Sequence, residues 1–247
     1  MSAIIPNPRL RFYPLVAIVL VAFMVIGFTR TFYLRFLFDL PPMRTVMQLH
    51  GLVFTAWLAL FVAQTQLIAA HRVDLHRKLG IAGVFLALVV VTFGLASIFV
   101  SAATPRLNLL GLTAPQASII PLVSISAFAI LLTAGVALRR RAGLHKRFML
   151  LAMISVVSPA TARLIGLLAL REYAMTIQMI VITAFVACCL VYDWRKNRVV
   201  HPVFTVGGVF LVLLWPVRYA VARSEMWQPV GEWFAEVGRH LLSVSGT

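Results

Sequence analysis

Residues 48–80 read QLHGLVFTAWLALFVAQTQLIAAHRVDLHRKLG, and this stretch decides the fold. Its uncharged apolar run of about 20 residues is long enough for one helix to cross a bilayer. Steps of four and three residues place one set of side chains on a single helical face: His50, Phe54, Trp57, Phe61, Gln64, Ile68 and His71. At about 1.5 Å per residue, the histidines at its two ends lie about 31 Å apart, near opposite membrane surfaces. A helix that contacts only lipid does not need these polar side chains, so we expect this face to contact other helices.

The composition is that of a membrane protein. Of the 247 residues, 62% are hydrophobic, whereas soluble domains are nearer to half apolar. The formal net charge is +15, but the Lys and Arg residues lie in short segments between apolar runs. This is the pattern of cytoplasmic loops and not of a nucleic-acid surface. Cys188 and Cys189 are adjacent in an apolar run, where neighbours on a helix point apart, so no disulfide framework is expected.

Seven apolar runs predict an all-α integral membrane protein with a seven-helix bundle. The first run follows Arg9 and Arg11 without a convincing cleavage site, which indicates an uncleaved signal anchor. Lys and Arg are more numerous in the segments on the N-terminal side of the membrane, which predicts an N-in, C-out orientation in a bacterial inner membrane. The predicted spans are Leu15–Phe28, Val46–Ala70, Gly80–Val100, Ser118–Leu138, Phe148–Leu170, Ala174–Tyr192 and Val203–Ala222.

The C-terminal tail has the pattern of an amphipathic helix. One face carries Val230, Trp233, Phe234, Val237, Leu241 and Leu242, and the other faces carry Glu232, Glu236 and Arg239. Such a helix lies in the membrane surface with its apolar face buried. We therefore expect a transmembrane domain over residues 1–223 and an interfacial tail over residues 224–247.

Four polar residues cluster near the predicted cytoplasmic surface: His71, Asp74, His76 and His145, with His201 before the last span. Paired imidazoles on facing helices are the usual axial ligands of a b-type haem, and nearby Arg and Lys side chains pair with its propionates. We predict His76 and His145 as ligands, with His71 as a substitute. A Cu or Zn site is an alternative, although no metal-binding signature supports it. The other reading is that these residues simply belong to charged loops.

A short internal repeat supports this pairing. Leu75-His76-Arg77-Lys78-Leu79 opens the third span and Leu144-His145-Lys146-Arg147-Phe148 opens the fifth. Both copies begin helices that rise from the same side, as in a parallel repeat about an axis along the membrane normal. Such an axis places His76 opposite His145.

A second candidate site lies at the other surface. Arg163 falls inside a span, where its guanidinium either extends to the headgroups or contacts a partner. With His50 it predicts a pocket for a lipid, a quinone, a propionate or another anion. The alternatives to a haem protein are a non-enzymatic lipid- or quinone-binding protein or assembly factor that uses this pocket, or a small-molecule transporter. No Asp or Glu lies within a predicted span, which disfavours a proton-coupled transporter. The sequence also lacks a phosphate loop, a dinucleotide fingerprint and a nucleophile elbow, so no enzymatic activity is assigned.

The strings HGLVFTAWLALFVAQTQL, DLHRKLG and LHKRFMLLA…PATARL resemble those of a family of uncharacterised bacterial multi-pass membrane proteins. The resemblance covers about residues 20 to 200 and implies no specific activity. The LHKRFM string is also similar to a His-Lys-Arg-x-Met segment of small membrane proteins of haem A and cytochrome oxidase maturation, which implies a role for His145. Helix-end histidines resemble the arrangement in cytochrome b561-like bundles. These likenesses imply haem binding or electron transfer, with a quinone or a respiratory-chain protein as partner.

Overall fold

The computed structural model describes residues 12–105 and 110–244, and this part of the chain is helical, without strands. Arg9, Arg11 and the last three residues of the predicted tail lie outside the described residues. The α-helices are α1 Phe12–Phe28, α2 Thr45–Ala69, α3 Val73–Ala102, α4 Ala114–Ala117, α5 Ile119–Ala137, α6 Ala142–Ser155, α7 Ser158–Leu167, α8 Ala174–Asn197, α9 Pro202–Arg223 and α10 Gln228–Val244. A π-helical turn, Thr29–Tyr33, extends α1.

Seven helical segments among the described residues are long and apolar enough to cross a membrane, as the sequence predicts. They are α1 with its extension, α2, α3, α4 with α5, α6 with α7, α8 with its preceding turn, and α9. The Phe54, Trp57 and Phe61 side chains of α2 pack in the hydrophobic core. We call the end that holds the α2–α3 and α5–α6 turns the basic end, because Arg72, Arg77, Lys78, Arg139, Arg140 and Arg141 lie there, and we call the opposite end the α10 end.

The fifth span lies at the centre of the bundle and is broken. Every residue from 150 to 158 is buried, so this segment is enclosed by other helices on all sides. Helix α6 ends at Ser155 and α7 begins at Ser158, with Pro159 in its first turn. Pro159 has no N–H, and its ring clashes with the carbonyl four residues earlier, which is that of Ser155. The proline therefore ends α6 where the structure shows the break.

Helix α10 packs closely on α3 and α4 through its glycines. A Cβ at Gly231 would lie 2.6 Å from the carbonyl oxygen of Pro115, and a Cβ at Gly238 would collide with the carbonyl of Phe99. Phe234 is buried on the same face, whereas Trp233 remains exposed. The sequence analysis put both aromatics on one apolar face. The close approach to α3 needs small residues, so the docked face is centred on glycines instead.

Candidate functional site

The two predicted histidine ligands meet at the basic end. His76 opens α3 and His145 opens α6, and their ring centroids are 6.2 Å apart with an interplanar angle of 78°. The juxtaposition that the repeat predicts is therefore present. Both side chains are half-buried, between the interior of the bundle and its basic surface.

A backbone carbonyl fixes the tautomer of His145. Its Nδ1 lies 2.7 Å from the carbonyl oxygen of Gly135, in the last turn of α5. Carbonyls in the last turn of a helix lack intrahelical partners, and a carbonyl only accepts, so Nδ1 carries the proton. The Nε2 of His145 is therefore left with a free lone pair.

Gln64 of α2 sets the opposite tautomer at His76. In the amide orientation that gives both side-chain atoms of Gln64 a hydrogen-bond partner, the amide oxygen accepts from the Gly80 N–H at 3.0 Å. The amide nitrogen then donates to the His76 carbonyl oxygen at 3.2 Å and to His76 Nδ1 at 2.5 Å. Because Nδ1 accepts, the proton of a neutral His76 sits on Nε2. One ring thus offers a donor and the other an acceptor.

The other predicted residues of this cluster are more loosely arranged. His71 is exposed in the α2–α3 turn, with φ of 59°, and Asp74 forms an exposed ion pair with Arg72 at 3.8 Å. His201 caps α9, since its Nδ1 accepts from the Val203 N–H at 3.2 Å. Among the described residues, no three His, Cys, Asp or Glu side chains form a group able to hold a metal ion.

A buried ion pair lies beneath this surface and was missed from the sequence. Arg147 donates from Nε and Nη2 to the two carboxylate oxygens of Asp193, at 2.9 and 2.7 Å. Both side chains are buried, and Asp193 is completely so. The expectation of no carboxylate in a span was wrong, because α8 continues to Asn197 and carries Asp193 inside the bundle. The sequence feature that could have revealed this buried pair is the isolated acidic residue in the otherwise uncharged string LVYDW.

The second predicted site is at the α10 end. His50 stacks on Phe54 at 6.1 Å, and its buried Nδ1 has no hydrogen-bond partner among the described residues. Arg163 is exposed, donates to Thr31 Oγ1 at 3.0 Å and lies over the Phe28 ring at 3.9 Å. Thr31 belongs to the same π-helical turn as Phe32, whose ring lies against Gly51, the neighbour of His50. The two residues thus share one region.

The sequence analysis also did not identify Arg218 as a buried residue, although it falls inside the predicted span Val203–Ala222. This residue lies in α9, is buried, and donates to Ser124 Oγ at 2.7 Å and Ser158 Oγ at 3.0 Å. A charge in the string LLWPVRYAV was the available signal.

Comparisons with known proteins do not extend this description. No family model matches the chain, and neither a curated protein nor a solved structure is similar to it.

Proposed function

We propose that the protein binds a b-type haem between His76 and His145 and acts in electron transfer or in the maturation of a respiratory oxidase. The observation that carries this proposal is the ring separation of 6.2 Å. If His76 and His145 held a haem iron, metal–nitrogen bonds of about 2 Å and about 1 Å from each nitrogen to its ring centre would place the two ring centres about 6 Å apart. The anchored Nδ1 of His145 is also typical of ligating histidines.

The tautomers of the two rings bear directly on this proposal. In the described arrangement, His76 Nε2 carries a proton and His145 Nε2 does not. A ligating nitrogen must be free of its proton, so haem binding requires the proton of His76 to move to Nδ1. The Gln64 amide then has to present its oxygen to Nδ1. When bound, haem would supply one-electron chemistry, while the protein orients both rings through the Gly135 carbonyl and the Gln64 amide.

An absorption spectrum of the detergent-solubilised, full-length protein, purified with haem supplied, tests the proposal. We expect a Soret band that His76→Ala and His145→Ala abolish. His240→Ala is the matched control, because His240 is exposed on α10 and should leave the band unchanged. Protein that stays colourless after haem titration, or a band that survives both substitutions, would rule the proposal out.

Gln64→Glu sharpens this test. A carboxylate accepts from Nδ1–H of His76, which favours the tautomer that ligates through Nε2. We expect haem affinity to rise about tenfold, since partners of ligating histidines change affinity by roughly 10–100-fold. Gln66→Glu, at an exposed position of the same helix, should change it little. Weaker binding in Gln64→Glu would argue for a proton-sharing histidine pair instead.

A second candidate function is quinone or lipid binding at His50 and Arg163. The buried, unpaired Nδ1 of His50 favours it, because a quinone oxygen is a suitable partner for an imidazole N–H. A short-chain quinone should then quench tryptophan fluorescence in the wild type and not in Arg163→Leu. Arg171→Leu, exposed at the same end, is the control. Equal quenching in all three proteins would remove this candidate.

We also propose an N-in, C-out orientation in a bacterial inner membrane, with α10 in the outer surface. The many Arg and Lys residues at the basic end support the orientation. Exposed Val230, Trp233 and Leu241 form a stripe beside the docked face of α10, suited to the lipid boundary. A C-terminal alkaline phosphatase fusion should be active. Fluorescence from a green fluorescent protein fused at the same point would instead show that the C-terminus lies in the cytoplasm.

A further inference from the structure

Arg218 is a buried cation whose contacts are all neutral. It is 4% exposed, and its Nη1 donates to Ser124 Oγ at 2.7 Å and to the Ile120 carbonyl oxygen at 3.4 Å. Its Nη2 donates to Ser158 Oγ at 3.0 Å, and the guanidinium carbon lies 4.1 Å from the centre of the Trp215 ring. Hydroxyls, a carbonyl and a ring ease the burial of a charge, but they do not neutralise it.

The acidic residues of the chain lie elsewhere. All seven Asp and Glu side chains fall in the described part of the chain, and six of them are exposed. The seventh, Asp193, is held by Arg147. The described residues therefore contain no carboxylate that offsets the charge of Arg218. An uncompensated guanidinium inside a bundle costs several kcal/mol, so an external counter-ion is strongly favoured.

A small cavity lies beside Arg218. Its volume is about 10 Å³, and Ser124, Ser155 and Arg218 line it together with apolar side chains of α5, α8 and α9. That volume is enough for one water-sized particle. The buried Nε of Arg218 also has no hydrogen-bond partner among the described residues.

The broken span brings a further polar element to the same place. Ser158, which Arg218 contacts, is the first residue of α7, and Gln178 donates to its carbonyl oxygen at 3.1 Å. The positive end of α7 and the negative end of α6 oppose each other at this break. The two helix dipoles therefore offset each other, and the guanidinium sets the sign of the local electrostatic potential. This potential is positive and favours an anion. Discontinuous helices with buried polar groups are a common way to build ion sites in membranes.

We propose that this cavity binds one small monovalent anion of halide size, chloride being the physiological choice. Its single charge neutralises Arg218, whereas sulfate and phosphate are too large for a cavity of about 10 Å³. Arg218 supplies the donors, among them the Nε–H that is unpartnered within the described part of the chain. A water molecule fits the same space but leaves the positive charge uncompensated, so it does not replace the ion.

Chloride NMR on the full-length protein in detergent tests this site. The protein is dialysed into sodium gluconate, and chloride is added at constant ionic strength. We expect saturable broadening of the ³⁵Cl line and a parallel, saturable rise of Tm. Bromide should compete and sulfate should not. Arg218→Met should remove both effects, whereas Arg223→Met, on the exposed last turn of the same helix, should keep them.

Ser158→Ala provides a second variant in case Arg218→Met does not fold. It retains the guanidinium and removes the hydroxyl oxygen that holds Nη2 in place, so we expect apparent chloride affinity to fall about fivefold, the usual effect of one hydrogen bond. Its Tm in gluconate should stay near that of the wild type. Equal line widths and Tm in chloride and gluconate for the wild type, or an unchanged chloride response in Arg218→Met, would show that the cavity holds only water.

Discussion

The bundle buries two arginines in different ways. Arg147, near the basic end, forms a two-point ion pair with Asp193, and a third N–H donates to the Gly143 carbonyl oxygen at 2.7 Å. Arg218, toward the α10 end, contacts two serines, a carbonyl and a tryptophan ring. The first site is neutral within the protein. The second keeps its positive charge, and the difference shows that burial alone does not tell whether an arginine is structural or available to a ligand.

The largest expected effect comes from removing the carboxylate of the neutral site. Asp193→Asn leaves Arg147 buried without a counter-charge, which costs about 3–5 kcal/mol of unfolding free energy. Denaturant unfolding in detergent measures it. Asp74→Asn is the control, because its ion pair with Arg72 is 59% and 65% exposed and is worth about 1 kcal/mol or less. Comparable losses in the two variants would contradict the buried pair.

Replacing both members of the pair should recover most of this loss. The double variant Arg147→Met with Asp193→Leu removes both charges together, and apolar replacements of a buried ion pair are often neutral or stabilising. We expect it to unfold within about 1 kcal/mol of the wild type, with a coupling energy that a double-mutant cycle measures. Additive losses in the cycle would mean that the two side chains act independently.

Removing Arg218 should have a smaller effect than removing Arg147. Arg147→Met leaves the buried Asp193 carboxylate without a counter-charge. Arg218→Met, in contrast, removes a charge that has no carboxylate partner among the described residues. In chloride-free buffer we expect Arg218→Met to lower the unfolding free energy by about 1 kcal/mol or less, or to raise it, because the loss of the contacts to serine, carbonyl and ring is offset by the removal of an uncompensated buried charge. A loss as large as that of Arg147→Met would show that Arg218 is neutralised inside the protein.

The smallest effect concerns His201, whose backbone N–H donates to Asp193 at 3.3 Å. Burial, together with the charge of Arg147, lowers the pKa of His201 below its usual value. A lowered folded-state pKa means that the stability is present above the unfolded-state pKa and is lost as pH falls. Lowering the pH from 7.5 to 5 should therefore reduce Tm by about a few degrees or less, because protonated Nδ1 no longer caps α9.

His201→Asn separates this titration from those of the other histidines. Asparagine keeps a side-chain acceptor at the cap and does not titrate. The difference in Tm between wild type and His201→Asn should shrink or reverse as the pH falls. A difference that stays constant with pH would mean that the cap does not depend on the protonation of His201.

The two arginines also show which parts of the structure can be predicted from the sequence and which cannot. The seven spans follow from hydropathy, and the meeting of His76 and His145 follows from two copies of one motif that open helices on the same side. Arg147 and Asp193 come from helices that are not neighbours in the chain, so their pairing depends on tertiary packing. Hydropathy placed Asp193 just beyond its span and could not show that it is buried. Whether His76 and His145 hold a haem remains a prediction.

The interruption between Ser155 and Ser158 divides the central span into two short helices, and each of them contacts a different neighbouring helix. Helix α6, at the basic end, is bound to α8 by the ion pair of Arg147 with Asp193. Helix α7, toward the α10 end, is bound to α9 by the hydrogen bond from Arg218 to Ser158. At the break, i→i−3 hydrogen bonds take the place of the regular α-helical pattern: the Val157 N–H donates to the Ile154 carbonyl oxygen and the Ala160 N–H to the Val157 carbonyl oxygen. Because such a stretch within a helix often serves as a hinge, we expect α6 and α7 to change their tilts separately.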